Sequence, residues 1–220
     1  MFIDRKDGGL QLAHALEKYK NKGAVVLGIP RGGAETGYYV AKYLNAEFSL
    51  LIARKLGFPD NPEAAFGAIA EDGSTYLNSH ALRYLPKETI EASIDIQKRE
   101  IERRIKQLRQ GKPLPDIKGK IVILVDDGIA TGATICAAIS MCRNLKAKKI
   151  VVAAPIAGLD TAMLLEEKAD EVVILEKPED YWAVSQGYEY FYNLEDKEVQ
   201  EIMLRWEREK SKAASQANKK

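Results

Sequence analysis

Two adjacent carboxylates, Asp126 and Asp127, follow five aliphatic residues, Ile121 to Val125, and precede the small-residue run Gly128-Ile129-Ala130-Thr131-Gly132-Ala133-Thr134. An unbroken apolar run is the pattern of a strand buried on both faces. Its abrupt stop at two acids delivers them to the carboxyl edge of a parallel sheet, where open α/β folds bind ligands. Beyond the acids, Gly128 and Gly132 permit a tight turn, Thr131 and Thr134 supply hydroxyls, and the N–H groups opening the next helix are free to hold an anion. Donors for a phosphate and acceptors for sugar hydroxyls thus stand side by side, the pairing a phosphorylated sugar needs, and Mg2+ can share the acids. The stretch is not a Walker loop, because the Gly-Lys-Ser/Thr ending is missing. Nor is it the dinucleotide fingerprint, whose glycines come directly after the strand and whose acid lies much further on.

A second loop repeats the arrangement. The run Ala24 to Ile29 predicts a buried strand that breaks into Gly28-Ile29-Pro30-Arg31-Gly32-Gly33 before a helix reaching about Leu44. Pro30, Arg31, Gly32 and Gly33 therefore form another candidate anion loop at the same sheet edge, now with a cation, and two anion loops imply a diphosphate ligand. Phe48 to Ala53 predicts the neighbouring strand, which leads into Arg54-Lys55 and a Gly/Pro/Asn-bearing segment ending near Glu63. This segment is expected to be a mobile lid that brings positive charge to the diphosphate on closing. A short hairpin over 64–78 follows, with Glu71 and Asp72 solvated near its turn.

The central stretch resembles the phosphoribosyl-diphosphate (PRPP) motif of the type I phosphoribosyltransferases: an apolar strand, two acids, and a small-residue loop closing on Thr-Gly-x-Thr. The resemblance covers roughly residues 24–176 and implies displacement of pyrophosphate from C1 of PRPP by a nitrogenous acceptor, with Mg2+ as cofactor. It implies Gly128 to Thr134 as the 5-phosphate loop, Asp126 and Asp127 as ribose ligands meeting Mg2+ only indirectly or through ribose hydroxyls, and Pro30 to Gly33 as the pyrophosphate loop. Arg54 and Lys55 resemble the pyrophosphate-binding pair at the root of the family's catalytic loop. An aromatic segment after the last strand, 177–192, is similar to a base-binding hood, with Tyr181 and Trp182 as base-site candidates. In the 6-oxopurine members an aspartate occupies the position of Ala130, so hypoxanthine and guanine are disfavoured as acceptors. More closely, the chain is similar to a branch with Asp-Arg near the start, Pro-Arg-Gly-Gly after the first strand and Ala-Val-x-x-x-Tyr in the hood, for which no base is implied. The alternative is a PRPP-binding regulatory protein that keeps the site and transfers nothing.

The elements that must position these residues alternate between strand and helix, which predicts an α/β fold: a doubly wound, mainly parallel sheet with flanking helices, a flexible lid and hairpin, and a small C-terminal hood. A helix capped by Asp7 precedes the first strand, a long charged helix runs from Pro86 to Arg109, and Asp196 opens a C-terminal helix ending near Glu209. One domain over 1–210 is expected, with its core at 24–176, its hood and last helix at 177–209, and a disordered tail at 211–220. The 220-residue chain has a formal net charge of +1 and 30% charged residues, so bulk electrostatics point to neither nucleic acid nor an anionic membrane. Cys136 and Cys142, six apart on one helix, face different directions and are expected to be packed thiols rather than a disulfide or a metal pair. His14 and His80 are assigned no role. No apolar run has membrane-spanning length and the N-terminus does not read as a signal peptide, so with the packed thiols a cytoplasmic location is expected; a homodimer is expected as well.

Overall fold

The computed structural model describes residues 1–59, 61–79 and 83–217, without the side chains at 62, 63, 214, 216 and 217. Asp60 of the expected lid, His80, and the last three residues of the expected tail lie outside the described residues. The chain runs α1 (Arg5–Ala15), β1 (Val25–Gly28), α2 (Gly32–Leu44), β2 (Glu47–Leu50), β3 (Ala53–Phe58), β4 (Asn61–Ala70) and β5 (Thr75–Leu77). It continues α3 (Lys87–Arg109), β6 (Ile121–Val125), α4 (Ala133–Asn144), β7 (Lys149–Ile156), α5 (Leu159–Glu166), β8 (Glu171–Glu176) and α6 (Asp196–Ala217).

Five strands form a fully parallel sheet in the order β2-β1-β6-β7-β8. The apolar runs are buried on both faces because the pleat sends alternate side chains to opposite cores. Val26, Ile123, Val125, Val151 and Ala153 join a core roofed by α1, α2, α3 and α6, where Leu12, Tyr38, Leu44, Ile101 and Val199 sit. Val25, Leu27, Val122, Leu124, Ile150 and Val152 face the other core with α4 residues such as Ile135, Ala138 and Cys142. From β1 the chain winds outward to β2, and from β6 it winds the opposite way to β7 and β8. The carboxyl ends of β1 and β6 therefore flank the switch point, where the flanking connections diverge and leave a crevice.

Four local expectations are corrected. Asp4, not Asp7, caps α1, accepting the Asp7 N–H at 2.8 Å, so the helix starts with Arg5 already in its first turn. The segment after Ile52 is not a loop but strand over its described part: Arg54 and Lys55 lie on β3, which pairs antiparallel with β4 from Ala53↔Ala70 to Phe58↔Asn61. With β5 this makes a second, three-stranded sheet, whose Ala53, Ala68 and Ala70 share the core with α4. Glu71 is not solvated. It accepts the Ile52 N–H at 2.9 Å and pairs with Arg109 at 2.9 Å, both side chains under one-tenth exposed, because this turn is folded under the end of α3. Finally α6 continues to Ala217, past Glu209 and through part of the expected tail. Among the described residues no helix is long and apolar enough to cross a membrane.

Candidate functional site

The two loops meet because β1 and β6 are direct neighbours, paired from Val25↔Val122 to Gly28↔Val125. The Ile29 N–H donates to the Val125 carbonyl at 2.8 Å, so the first loop leaves the sheet against the last residue before the acids. The peptide between Pro30 and Arg31 is cis. Gly32 lies directly on the Asp127 carboxyl group, and any Cβ there would overlap its atoms, so close packing of the two loops dictates glycine at this position. Arg31 reaches Asp196 at the head of α6 at 3.8 Å and is otherwise half exposed.

The two acids are not equivalent. Asp127 is 7% exposed and accepts from Arg5 Nε at 2.6 Å. Asp126 has no ion-pair partner among the described residues, and its Oδ1 accepts the Asp127 N–H at 2.9 Å. Burial, reinforced by the Asp127 charge, pushes the Asp126 carboxyl well above the usual carboxylate range, and backbone N–H bonds from Asp127 and Gly33 pull the other way.

Beyond the acids the chain turns through the loop that opens α4. Its N-terminus has no side-chain cap, and Gly132 sits there in the left-handed region at φ 71°. The first helical bond runs from the Cys136 N–H to the Gly132 carbonyl at 2.8 Å, which leaves the N–H groups of Ala133, Thr134 and Ile135 without helical carbonyls to bond. Ile129 is pinned by its N–H to the Ile156 carbonyl at 2.9 Å, and the Ala130 carbonyl accepts from Thr161 Oγ1 at 2.6 Å. Thr131 is exposed.

A cleft of about 1250 Å³ opens over this junction. Of the sequence candidates, Pro30, Arg31, Gly32, Arg54, Lys55, Asp126, Asp127 and Thr134 line it. Arg54 reaches in from β3, its Nε donating to Gln97 of α3 at 3.1 Å; burial, then the charge of Arg104, lowers its pKa. Tyr181 and Trp182 stand apart from the lining: Trp182 is 84% exposed, and the Tyr181 ring packs over Gly158 with its hydroxyl buried and without a partner. Burial, with the nearby Asp127 and Asp126 charges, pushes the Tyr181 hydroxyl up to about 12. The hood instead presents Ala183, Val184, Ser185 and Phe191 to the cleft. Val184 rests where a side chain on Gly128 would have to go, so glycine at 128 admits the hood onto the motif.

Arg5 is the residue that motif reading of the central stretch misses. Its partner lies 122 positions away, and the only local hint is the Asp-Arg pair near the start. Among the described residues no group of three or more His, Cys, Asp or Glu could cage a metal. Asp126 and Asp127 still fit Mg2+, which keeps several waters and needs only one or two carboxylates from a protein. Chemically the cleft combines the free head of α4 at Thr134, a half-buried unpaired carboxyl and at least two arginines, a set suited to a polyanionic ligand with hydroxyl groups.

Residues 11–190 match the family model described as phosphoribosyl transferase domain. The chain is 42% identical over 217 residues, 98% of its length, to proteins named "Putative phosphoribosyl transferase" from the CDC 1551 and H37Rv strains of Mycobacterium tuberculosis. It spans about half the length of these curated relatives, 49%. Among solved structures it resembles TT1426 from Thermus thermophilus, with a TM-score of 0.80 and 38% identity, covering 93% of this chain and 98% of that one.

Proposed function

The chain belongs to the phosphoribosyl transferase domain family, and from that membership we propose that it displaces pyrophosphate from PRPP with a small nitrogenous acceptor. The observation that supports the proposal is the meeting of Pro30 to Gly32, the Asp126-Asp127 pair and Thr134 at the switch point, in one cleft with Arg54 and Lys55. In this reading the N–H groups and hydroxyls of Gly128 to Thr134 hold the 5-phosphate at the head of α4. The loop from Pro30 to Gly33 and the Arg54 and Lys55 cations face the diphosphate, while Asp126 accepts from a ribose hydroxyl.

The acceptor nitrogen bonds to C1 as the C1–oxygen bond breaks, and the bonding pair leaves with pyrophosphate. The transition state carries positive charge on the ribose and growing negative charge on the leaving group. Preorganised charge is then the main lever: Arg31 and Arg54 on the departing oxygens, a carboxylate beside the sugar. Mg2+ brought in on the diphosphate would neutralise part of its charge, and Asp126 would meet it only indirectly or through ribose hydroxyls. Ala130 offers no carboxylate to a purine ring, which disfavours a 6-oxopurine acceptor. Phe191, rather than Tyr181 or Trp182, is the aromatic side chain from the hood that faces the cleft.

A second reading, a PRPP-binding regulator without turnover, draws on the Arg5–Asp127 pair, which occupies one of the two acids. Pyrophosphate release from PRPP and Mg2+ across a panel of nucleobases separates the two. Acceptor-dependent release with adenine- or uracil-type bases is expected. A PRPP-dependent rise in Tm without release from any base would establish the regulator instead.

A further inference from the structure

Arg5 stands at the joint of three separate parts of the chain. It is 4% exposed, and its Nε–H donates to Asp127 Oδ2 at 2.6 Å. The guanidinium carbon lies 4.2 Å from the centroid of the Phe191 ring and 5.7 Å from that of Tyr192. Arg5, Asp127 and Phe191 all line the cleft, yet they come from the N-terminal helix, the loop after β6 and the hood.

The first residues of the chain are stitched to the hood as well. The Phe2 N–H donates to the Gly187 carbonyl at 2.7 Å, the Glu189 N–H to the Phe2 carbonyl at 2.8 Å, and the Phe2 and Tyr188 rings meet at 5.7 Å. Tyr188 then reaches the motif itself, its hydroxyl donating to the Asp127 carbonyl at 2.5 Å. The hood thus touches Asp127 at both ends, at its carbonyl through Tyr188 and at its carboxylate through the Phe191–Arg5 stack. A buried guanidinium needs a counter-ion, and a planar cation is best held flat on an aromatic face, so each partner of Arg5 fixes it for the other.

We propose that Arg5 is a positioning residue that couples the hood to the sugar subsite: stacked on Phe191, it orients the Asp127 carboxylate, so that affinity for the phosphorylated sugar depends on the hood being docked. Asp127 then serves the site chiefly through its place in this triad, and Asp126 is the carboxyl group left to meet the ligand. The inference rests on reading the cleft as a PRPP site.

Calorimetric titration of the intact chain with PRPP and Mg2+ tests it, using Arg5→Lys, Phe191→Leu, Phe191→Tyr and the Arg5→Lys/Phe191→Leu double variant. Arg5→Lys keeps the charge but loses the planar stack. Arg5→Lys and Phe191→Leu should each raise Kd about fivefold, the scale of a cation–π contact. The double variant should be no weaker than the worse single one, and Phe191→Tyr should stay within about twofold of the parent, since it retains the ring. A merely structural part for Arg5 would lower Tm and the fraction of competent sites while leaving Kd unchanged. That outcome, or losses that multiply in the double variant, overturns the proposal. If the parent chain binds no PRPP, the site reading fails by itself, and the coupling is read without ligand from amide exchange at 183–194. Faster exchange there in Arg5→Lys supports the coupling, and unchanged exchange refutes it.

Discussion

Asp127 is packed as tightly as a core side chain: Arg5 holds its carboxylate on one side and the Gly32 backbone abuts it on the other. The contact with Gly32 is unforgiving, because the atom nearest a methyl group there is Oδ2, the oxygen that Arg5 holds. Gly32→Ala should therefore cost about 1–3 kcal/mol by overpacking and, on the proposed function, should weaken PRPP binding at the same time, since the displaced carboxylate drags Arg5 with it. Denaturant midpoints and titrations on the same preparation check both effects; full stability with native affinity would show that the loops separate freely. Asp126 and Asp127 are neighbours in sequence with opposite environments, one unpaired with its pKa pushed up by burial, one ion-paired. Adjacency alone could announce two acids, but not this division between them.

Among the elements, the three-stranded sheet most directly controls the cleft, because β3 carries Arg54 and Lys55. It is fastened to the rest by the buried Glu71–Arg109 pair: Glu71 holds the Ile52 N–H just before β3, and Arg109 Nη1 donates to the Leu50 carbonyl at 2.8 Å. Burial raises the Glu71 pKa although the Arg109 charge opposes it. Glu71→Ala leaves a buried arginine without its counter-ion and should destabilise the chain by about 3–5 kcal/mol. Replacing both by Glu71→Leu and Arg109→Met should recover much of that loss, and urea denaturation of the three variants provides the comparison. A double variant as unstable as Glu71→Ala would mean that the Ile52 and Leu50 bonds, not the unpaired charge, are what the pair supplies. In sequence, Glu71 beside Asp72 looks like an ordinary polar turn. Its partner sits 38 positions on, at the end of a helix whose surface is otherwise coated with charge, so nothing local marks the pair.

For the molecule as a whole, two cores lie on either side of the parallel sheet, and the two thiols on α4 are buried in one of them. Burial pushes Cys136 up to about 11 and Cys142 up to about 12, with neither in a disulfide. Both folded-state values exceed the ordinary thiol value, so above about pH 8.5 the unfolded chain sheds protons that the folded chain retains. Stability should then fall as pH rises through that window, by up to about 1.4 kcal/mol per pH unit for each thiol. The difference in slope between the parent chain and Cys142→Ala, from urea midpoints at several pH values, isolates the effect from tyrosine and lysine titration. Identical slopes would contradict the buried-thiol account.

The sequence by itself determined the parallel α/β sheet, the glycine loops that follow β1 and β6, the two acids at the end of β6 and the packed cysteines. Each is written in a short contiguous run: an aliphatic stretch that must be buried on both faces, a glycine break, and polar groups stranded at the strand end. Only the tertiary structure decided which acid stays unpaired, that Arg54 and Lys55 ride on a strand, and that Phe191 rather than Trp182 turns to the cleft. These features depend on pairs far apart in the chain, Arg5 with Asp127 or Ala53 with Ala70. Burial and charge compensation at such contacts are set by the three-dimensional packing of elements, for which the local pattern of residues has no sign.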